Sequence, residues 1–123
     1  MPLTPSTAGF PPEARLHTPA DYSRVFKCGI RTADSHFRMY ACLNTGAKAR
    51  LGITVARKTA TSAVVRNRIK RQVRESFRSY HKLLPAVDVV VQARQPAAAV
   101  DNPTIRSSLE WHWQELIKRC AAS

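Results

Sequence analysis

A long amphipathic segment between two strand-like segments constrains the fold of this chain more than any other feature. Residues 62–84 have a helix-forming sequence, and Pro85 follows them as a helix breaker. At 100° per residue, the apolar side chains between Val65 and Tyr80 fall in one sector and the basic side chains in the opposite one. The segment therefore predicts a helix that packs one face on a core and presents a positive face to solvent.

Segments on both sides of this helix alternate apolar and polar residues, which is typical of strands. The segments are "HFRMYACLN" (36–44), "RLGITVAR" (50–57) and "VDVVVQAR" (87–94). Thr18 and Pro19 predict the cap and first turn of an earlier helix that Gly29 ends, and Asn102-Pro103 predict the start of a last helix. This order predicts an α/β domain whose helices pack on one face of a small sheet and leave the other face available.

Length and segment composition indicate one domain. A chain of 123 residues can close one modest core. Residues 1–17, rich in proline and small polar residues, predict a flexible lead, and residues 18–123 a single α/β domain. Neither a secretion signal nor an apolar run of membrane-spanning length is recognisable, so we expect a cytoplasmic protein without a membrane partner.

The cysteines carry little functional signal. Cys28, Cys42 and Cys120 are odd in number and have no CxxC spacing. This pattern favours isolated reduced thiols over a disulfide framework or a metal-thiolate site.

The charge balance indicates a polyanionic partner. Lys and Arg number 20 against 8 Asp and Glu, a formal net charge of +12, and such a field attracts nucleic acid. Within the basic helix, Lys70, Arg74 and Arg78 repeat at a spacing of four residues and repel one another. An anionic ligand would offset this repulsion, and the predominance of arginine suits bidentate contacts with phosphates.

The segment "RNRIKRQVRESFR" (66–78) resembles the signature of the protein subunit of bacterial ribonuclease P. "DYSRVFKCG" (21–29) resembles the family's first helix, and "HFRMYAC" (36–42), "RLGITVARK" (50–58) and "DVVVQARQPA" (88–97) resemble its strands. The resemblance runs from about Thr18 to Cys120. It implies a ribosomal-protein-like α+β sandwich in the order α-β-β-β-α-β-α, with a mainly antiparallel sheet of about four strands and a left-handed crossover around the basic helix.

The same resemblance implies a role in tRNA maturation. The family's subunit joins a large catalytic RNA, and this ribonucleoprotein removes the 5′ leader from precursor tRNA with the help of Mg²⁺. The catalytic centre and the magnesium ions are then expected in the RNA, with no catalytic or metal-binding residue in this chain. The implied partners are the catalytic RNA and precursor tRNA, and no DNA.

Two groups of site residues follow from the resemblance. Those expected to bind the catalytic RNA are Arg57, Lys58, Arg66, Asn67, Arg68, Lys70, Arg71, Arg74 and Arg78. Those expected in a leader-binding cleft between the first helix and the sheet are Tyr22, Phe26, Arg38, Tyr40 and Arg94. Strand alternation independently places Arg38 and Tyr40 on the face opposite the apolar one, where an aromatic ring beside arginine suits single-stranded RNA. A purely structural role for Phe26 in the core remains an alternative.

Two other function classes make different demands on the sequence. A protein nuclease would need clustered carboxylates for metal ions or a pair of cooperating histidines. The eight acids are scattered singly, and His17, His36, His81 and His112 are expected on different elements without partners. A ribosomal or other structural RNA-binding protein stays open as the alternative, whereas Pro85 excludes a basic helix that continues into a leucine zipper.

Overall fold

The secondary structure follows the predicted order α-β-β-β-α-β-α. The computed structural model describes residues 15–16, 18–46 and 48–122. Its elements are α1 (Pro19–Lys27), β1 (Ile30–Ala33), β2 (Phe37–Leu43), β3 (Arg50–Thr54), α2 (Ala63–Tyr80), β4 (Val87–Ala93), a 3-10 helix (Gln95–Ala99) and α3 (Asn102–Ala122). The strand that alternation had not located is β1. The predicted flexible lead lies outside the described residues, apart from Arg15 and Leu16.

The four strands form one sheet in the order β1-β2-β4-β3. The β1–β2 and β2–β4 pairs are antiparallel, and the β3–β4 pair is parallel. The prediction of a mainly antiparallel sheet of about four strands is therefore confirmed. Helix α2 connects the two parallel neighbours β3 and β4, and the left-handed sense of this crossover stays an expectation from the resemblance.

The main core lies between one face of the sheet and helices α2 and α3. Ile69, Val73 and Phe77 of α2 are buried in it, as the apolar sector predicted. Helix α3 buries an apolar stripe of its own, at the spacing of an amphipathic helix: Ile105, Leu109, Trp113, Leu116 and Cys120. Trp113 Nε1 donates a hydrogen bond to Ser76 Oγ at 2.7 Å, so the two helices are also joined by a polar contact.

Helix α1 packs on the opposite face of the sheet, so the prediction that this face is available is wrong for part of it. Val25 of α1 and Val90 of β4 are fully buried and, with Leu16, form a second small core. The reason is that β4 is apolar on both faces in its middle, and alternation alone does not show which face a helix covers. Leu16 N donates to Leu51 O at 3.0 Å, which attaches Arg15 and Leu16 to the edge of β3.

The helix ends follow local chemistry. Thr18 Oγ1 accepts from Asp21 N at 3.1 Å and caps α1, and Gly29, with φ of 97°, lies in the left-handed region just after it. The cap predicted at Asn102 is one residue too late: Asp101 Oδ1 accepts from Thr104 N at 3.0 Å, which leaves Asn102 in the first turn of α3. Within the described part of the chain, no helix has the length and apolarity needed to cross a membrane.

The prediction of three isolated thiols is wrong for two of the cysteines. Cys28, just after α1, and Cys42, on β2, form a disulfide with their Cα atoms 5.4 Å apart. Only Cys120 is a free, buried thiol, and its burial raises its pKa. The pairing depends on α1 lying over the sheet, which the spacing of the cysteines does not reveal.

Candidate RNA-binding surfaces

Three rows of paired residues make up the face of the sheet that carries α1. Across β2, β4 and β3 the rows are Cys42–Asp88–Arg50, Tyr40–Val90–Gly52 and Arg38–Gln92–Thr54. Helix α1 is bonded to the first row and packs on the second. The third row lies beyond the helix and lines an open cavity. One end of this face is therefore the attachment site for α1, and the other end is an accessible cleft.

A buried carboxylate attaches α1 to the first row. Asp88 is fully buried and accepts from Arg50 Nε and Nη2 at 2.8 and 2.7 Å, from Asn44 Nδ2 at 2.8 Å, and from Arg24 of α1. Burial alone would raise the pKa of Asp88, but the hydrogen bonds from Arg50, Asn44 and Arg24 outweigh it and hold this pKa below the usual value. The carboxylate is thus charged at neutral pH and joins helix to sheet.

Gly52 in the second row makes room for the ring of Tyr22. A Cβ at Gly52 would lie 2.7 Å from Tyr22 Cζ, which real Cβ contacts do not allow. Tyr22 is half-buried and packs against the small core with Val25 and Val90. Of the predicted cleft residues, Tyr22 therefore forms part of the wall.

Two other predicted cleft residues lie together at the mouth of the covered region. The rings of Phe26 and Tyr40 have centroids 4.8 Å apart and planes at 77°, an edge-to-face pair. Phe26 is 39% exposed, which argues against a purely core role for it. Tyr40 is half-buried, and a solvent-accessible ring pair beside a polar row is a surface on which an unpaired base can stack.

The remaining two predicted cleft residues lie at the open end. Arg38 is exposed, and Arg94 is half-buried with its Nη1 donating to Asp34 O at 2.6 Å. Both line a cavity of about 500 Å³, together with Lys58, Gln92 and Thr54. The third row of the sheet forms the floor of this cavity, and Arg38, Lys58 and Arg94 line it.

The nine residues expected to bind the catalytic RNA divide into two groups. The side chains that face solvent are Arg57, Lys58, Asn67, Arg71, Arg74 and Arg78, with Lys70 half-buried. Arg66 Nη1 donates to Ala60 O and Thr61 O, both at 2.8 Å, and Arg68 Nη1 donates to Asn102 Oδ1 at 2.8 Å. Arg66 and Arg68 thus brace the segments at the start of α2 and α3, a role that charge counting does not show.

The basic helix and the cleft meet at the edge of β3. Lys70 and Arg74 line a small cavity of about 130 Å³ together with Tyr22 and Gly52. Burial, and next the positive charge of Arg15, lower the pKa of Arg74, so positive charges crowd this edge.

The prediction that each histidine lacks a partner is wrong for the three that the structure describes, whereas His17 lies outside the described residues. His81 Nε2 lies 3.1 Å from Ala49 O, and His36 and His112 both lie beside Asp34. His112 Nε2 lies 3.1 Å from Asp34 Oδ1, and His36 Nδ1 lies 4.0 Å from Asp34 Oδ2. On its other side, His112 Nδ1 lies 2.6 Å from Thr32 Oγ1. Sequence reasoning missed the cluster because it joins the β1–β2 turn to α3.

This hydroxyl–imidazole–carboxylate arrangement is buried and fits a structural role. His112 is fully buried and Thr32 is 4% exposed, so a phosphodiester has no access to them. Desolvation lowers the pKa of His112 although Asp34 opposes the shift, and the imidazole is neutral at neutral pH. The cluster therefore holds α3 to the β1–β2 hairpin.

The carboxylates do not fit a magnesium site either. Over the described ranges, no three His, Cys, Asp or Glu side chains come together as metal ligands. Asp34 already accepts from the backbone N–H groups of His36 and Phe37, at 2.9 and 2.8 Å, and from Ser108 Oγ, while Asp88 is saturated by its arginines. The oxygens of both carboxylates are thus occupied by hydrogen-bond donors of the protein itself and not by a hydrated ion.

Comparisons with known proteins agree with the fold and with the family resemblance of the sequence. The family model described as Ribonuclease P matches residues 10–117. The "Ribonuclease P protein component" of Methylococcus capsulatus is 44% identical over 94% of this chain and 90% of its own length, and that of Thioalkalivibrio sulfidiphilus is 43% identical over 92% and 94%.

Solved structures give the same result. The RNase P protein of Staphylococcus aureus superimposes with a TM-score of 0.78 at 38% identity, over 82% of this chain and 93% of that one. The RNase P protein of Thermotoga maritima has a TM-score of 0.71 at 33% identity, over 81% and 96%. These matches favour ribonuclease P over the ribosomal-protein alternative. The chain belongs to the family of ribonuclease P protein components.

Proposed function

We propose that this chain is the subunit that binds the 5′ leader of precursor tRNA in the cleft beside α1 and the catalytic RNA along α2. The holoenzyme is an endoribonuclease that removes the leader to give the mature tRNA 5′ end, and it acts in the cytoplasm. The observation that carries this proposal is the pair formed by the exposed ring of Phe26 and the half-buried ring of Tyr40, next to Arg38, on a sheet face that adjoins the basic helix.

The cleft suits a single strand better than a duplex. Its aromatic pair offers a stacking surface that accepts any base, and Arg38, Lys58 and Arg94 stand around the adjoining cavity where phosphates would pass. A duplex keeps its bases stacked on one another and leaves no base for these rings. The leader is the unpaired part that distinguishes precursor from mature tRNA.

The exposed face of α2 suits the backbone of a folded RNA. Arg71, Arg74 and Arg78 are exposed on it, and Glu75 is the helix's only acidic residue. Guanidinium groups bind phosphates in a bidentate manner and displace counterions from RNA. We expect this face to bring the subunit against the catalytic RNA.

We place the chemistry in the RNA, with Mg²⁺ held by RNA and substrate. The buried carboxylate of Asp88 and the half-buried carboxylate of Asp34 serve the protein's own fold, and His112 is closed to substrate. The positive surface instead lowers the repulsion between two polyanions, so the protein should reduce the Mg²⁺ concentration that cleavage requires.

A reconstituted holoenzyme tests the proposal. Tyr40→Ala should weaken binding of precursor tRNA by about 1 to 3 kcal/mol for the removal of one base stack and leave binding of mature tRNA nearly unchanged. Trp111→Ala is a matched control, because Trp111 is 43% exposed on α3, which packs on the other face of the sheet. Equal losses for both RNAs, or equal effects of both variants, would refute leader binding in this cleft, and cleavage by the protein without RNA would refute the assignment of catalysis.

A further inference from the structure

We propose that Gln92, with Thr54 beside it, forms a base-reading site on the floor of the cleft, where it hydrogen-bonds the edge of one unpaired nucleobase. The inference rests on the proposed function, because the nucleobase belongs to the leader. It adds a determinant of sequence preference to a cleft whose other groups, aromatic rings and cations, accept any base.

The register places Gln92 at the centre of the open row. It pairs with Arg38 on β2 and with Thr54 on β3, and all three side chains point to the face that carries α1. Tyr40 pairs with Val90, so Gln92 is its diagonal neighbour, at a separation of about 7–8 Å. A base stacked against Tyr40 would therefore bring its edge within reach of the flexible glutamine side chain.

The polar groups of this floor lack protein partners. Thr54 Oγ1 is buried and accepts or donates no hydrogen bond among the residues that the structure describes. The Gln92 amide is half-buried and likewise has no side-chain hydrogen bond within the described ranges, although it lines the cavity of about 500 Å³. By contrast Gln95, at the rim of the same cavity, donates its Nε2 to Lys58 O at 3.0 Å. Buried polar groups normally have partners, so the unpaired buried hydroxyl of Thr54, beside the solvent-accessible amide of Gln92, indicates a ligand.

The chemistry of an amide matches a base better than a phosphate. Gln92 offers a donor group and an acceptor side by side, whereas a phosphate can only accept. Arg38, Lys58 and Arg94 supply donors for phosphates around the cavity, and the neutral amide lies at its floor. An adjacent donor and acceptor is the pattern on base edges such as those of adenine and cytosine, and glutamine pairs with such edges in nucleic-acid complexes.

The experiment compares precursor tRNAs that differ in a single leader nucleotide. For each leader position in turn, four substrates carry the four bases, and binding to the reconstituted holoenzyme is measured. We expect the wild-type affinities to differ by about fivefold or more at one position, the equivalent of one good hydrogen bond. In Gln92→Leu this spread should fall below about twofold, because the base that was favoured loses its partner.

Two further variants keep the test decisive. Gln92→Glu preserves size and acceptors but removes the donor, so it should change which base is favoured even if the leucine variant is poorly folded. Gln114→Leu makes the same chemical change on the exposed face of α3, on the other side of the sheet, and should keep the wild-type spread.

The inference is overturned if the wild type shows no base dependence at any leader position, or if both Gln92 variants keep the wild-type order and spread. These outcomes are distinct from failure of the proposed function. The latter would appear as a wild-type holoenzyme that binds precursor and mature tRNA equally, or as a Tyr40→Ala variant that weakens both RNAs alike.

Discussion

Replacing Asp88 by asparagine should weaken the attachment of α1 to the sheet, which the Cys28–Cys42 disulfide still holds at one end, without changing the size of the side chain. In the wild type the buried carboxylate accepts from Arg24, Asn44 and Arg50. An asparagine keeps one acceptor oxygen but turns an amide NH₂ group toward a guanidinium. We therefore expect the hydrogen bond from Arg24, or the one from a nitrogen of Arg50, to break.

The magnitude follows from the exposure of the partners. Removing one member of a buried charge pair typically costs about 3 to 5 kcal/mol, since the other charge stays buried and unpaired. Arg24 and Arg50 are 41% and 31% exposed, so water can hydrate both guanidinium groups once they are released. We expect a loss at the lower end, about 3 kcal/mol of unfolding free energy at pH 7, together with weaker binding of precursor tRNA because Phe26 moves with α1.

Urea unfolding followed by circular dichroism measures this loss, and Glu110→Gln is the control. Glu110 is exposed on α3 and makes no hydrogen bond or ion pair with other described residues, so the same change of charge should cost little there. A loss below about 1 kcal/mol in Asp88→Asn, or a similar loss in both variants, would show that the carboxylate does not hold the helix.

The pH dependence supplies an independent arm of the same prediction. The pKa of Asp88 is lower in the folded than in the unfolded protein. The contribution of its carboxylate to the free energy of unfolding is therefore complete above the unfolded pKa of about 3.9 and is lost as the pH falls below that value. The difference in unfolding free energy between wild type and Asp88→Asn should accordingly shrink below about pH 4. A difference that is constant from pH 7 to pH 3 would contradict the charge-based explanation.

Three further results are expected from other parts of the molecule. Neutralising Lys70 and Arg74 together should weaken RNA binding and leave folding intact. The slope of log affinity against log salt concentration should decrease by about 0.9, the value for duplexes, for each phosphate that is no longer bound. An unchanged slope would show that the RNA binds elsewhere. Burial lowers the pKa of His112 in the folded state, so as the pH falls the unfolded state takes up the imidazole proton at a higher pH than the folded state does. The free energy of unfolding should therefore fall by up to about 1.4 kcal/mol per pH unit below pH 6.5. Urea unfolding of His112→Gln at several pH values should lack this slope. Reducing the disulfide between Cys28 and Cys42, 14 positions apart, should lower the unfolding free energy by up to about 3 kcal/mol, and thiol counts before and after reduction would contradict the pairing if they were equal.

Periodicity predicted the parts of this fold that depend on neighbouring residues along the chain. Ile69, Val73 and Phe77 are buried on α2, and Trp113 on α3, because a helix that packs on a core shows its apolar stripe in the sequence. The same holds for the cap at Thr18, where the side chain bonds a backbone group three residues later.

Contacts between distant segments were beyond this reasoning. Thr32 and His112 are 80 positions apart, and neither residue type signals the other. Asp88 gave a weak signal as a charge inside an apolar strand, but its meaning depends on α1 crossing β4, which no pattern in the sequence encodes. The polar floor was missed for a related reason: Gln92 stands out only when the register places it beside Arg38 and Thr54.

The position of the two RNA-binding surfaces relative to each other limits how separable their effects can be. Lys70 and Arg74 of α2 border the same small cavity as Tyr22 of α1 and Gly52 of β3, so the surface proposed for the catalytic RNA and the wall of the proposed leader cleft share one strand edge. A leader strand that leaves the cleft over this edge passes beside Arg74, whereas Arg78, one turn farther along α2, lies farther from it. Neutralising Lys70 and Arg74 should therefore weaken binding of precursor more than of mature tRNA, in addition to weakening assembly. Neutralising Arg71 and Arg78 should affect assembly alone, and identical precursor-to-mature ratios for the two pairs of variants would show that the surfaces act independently.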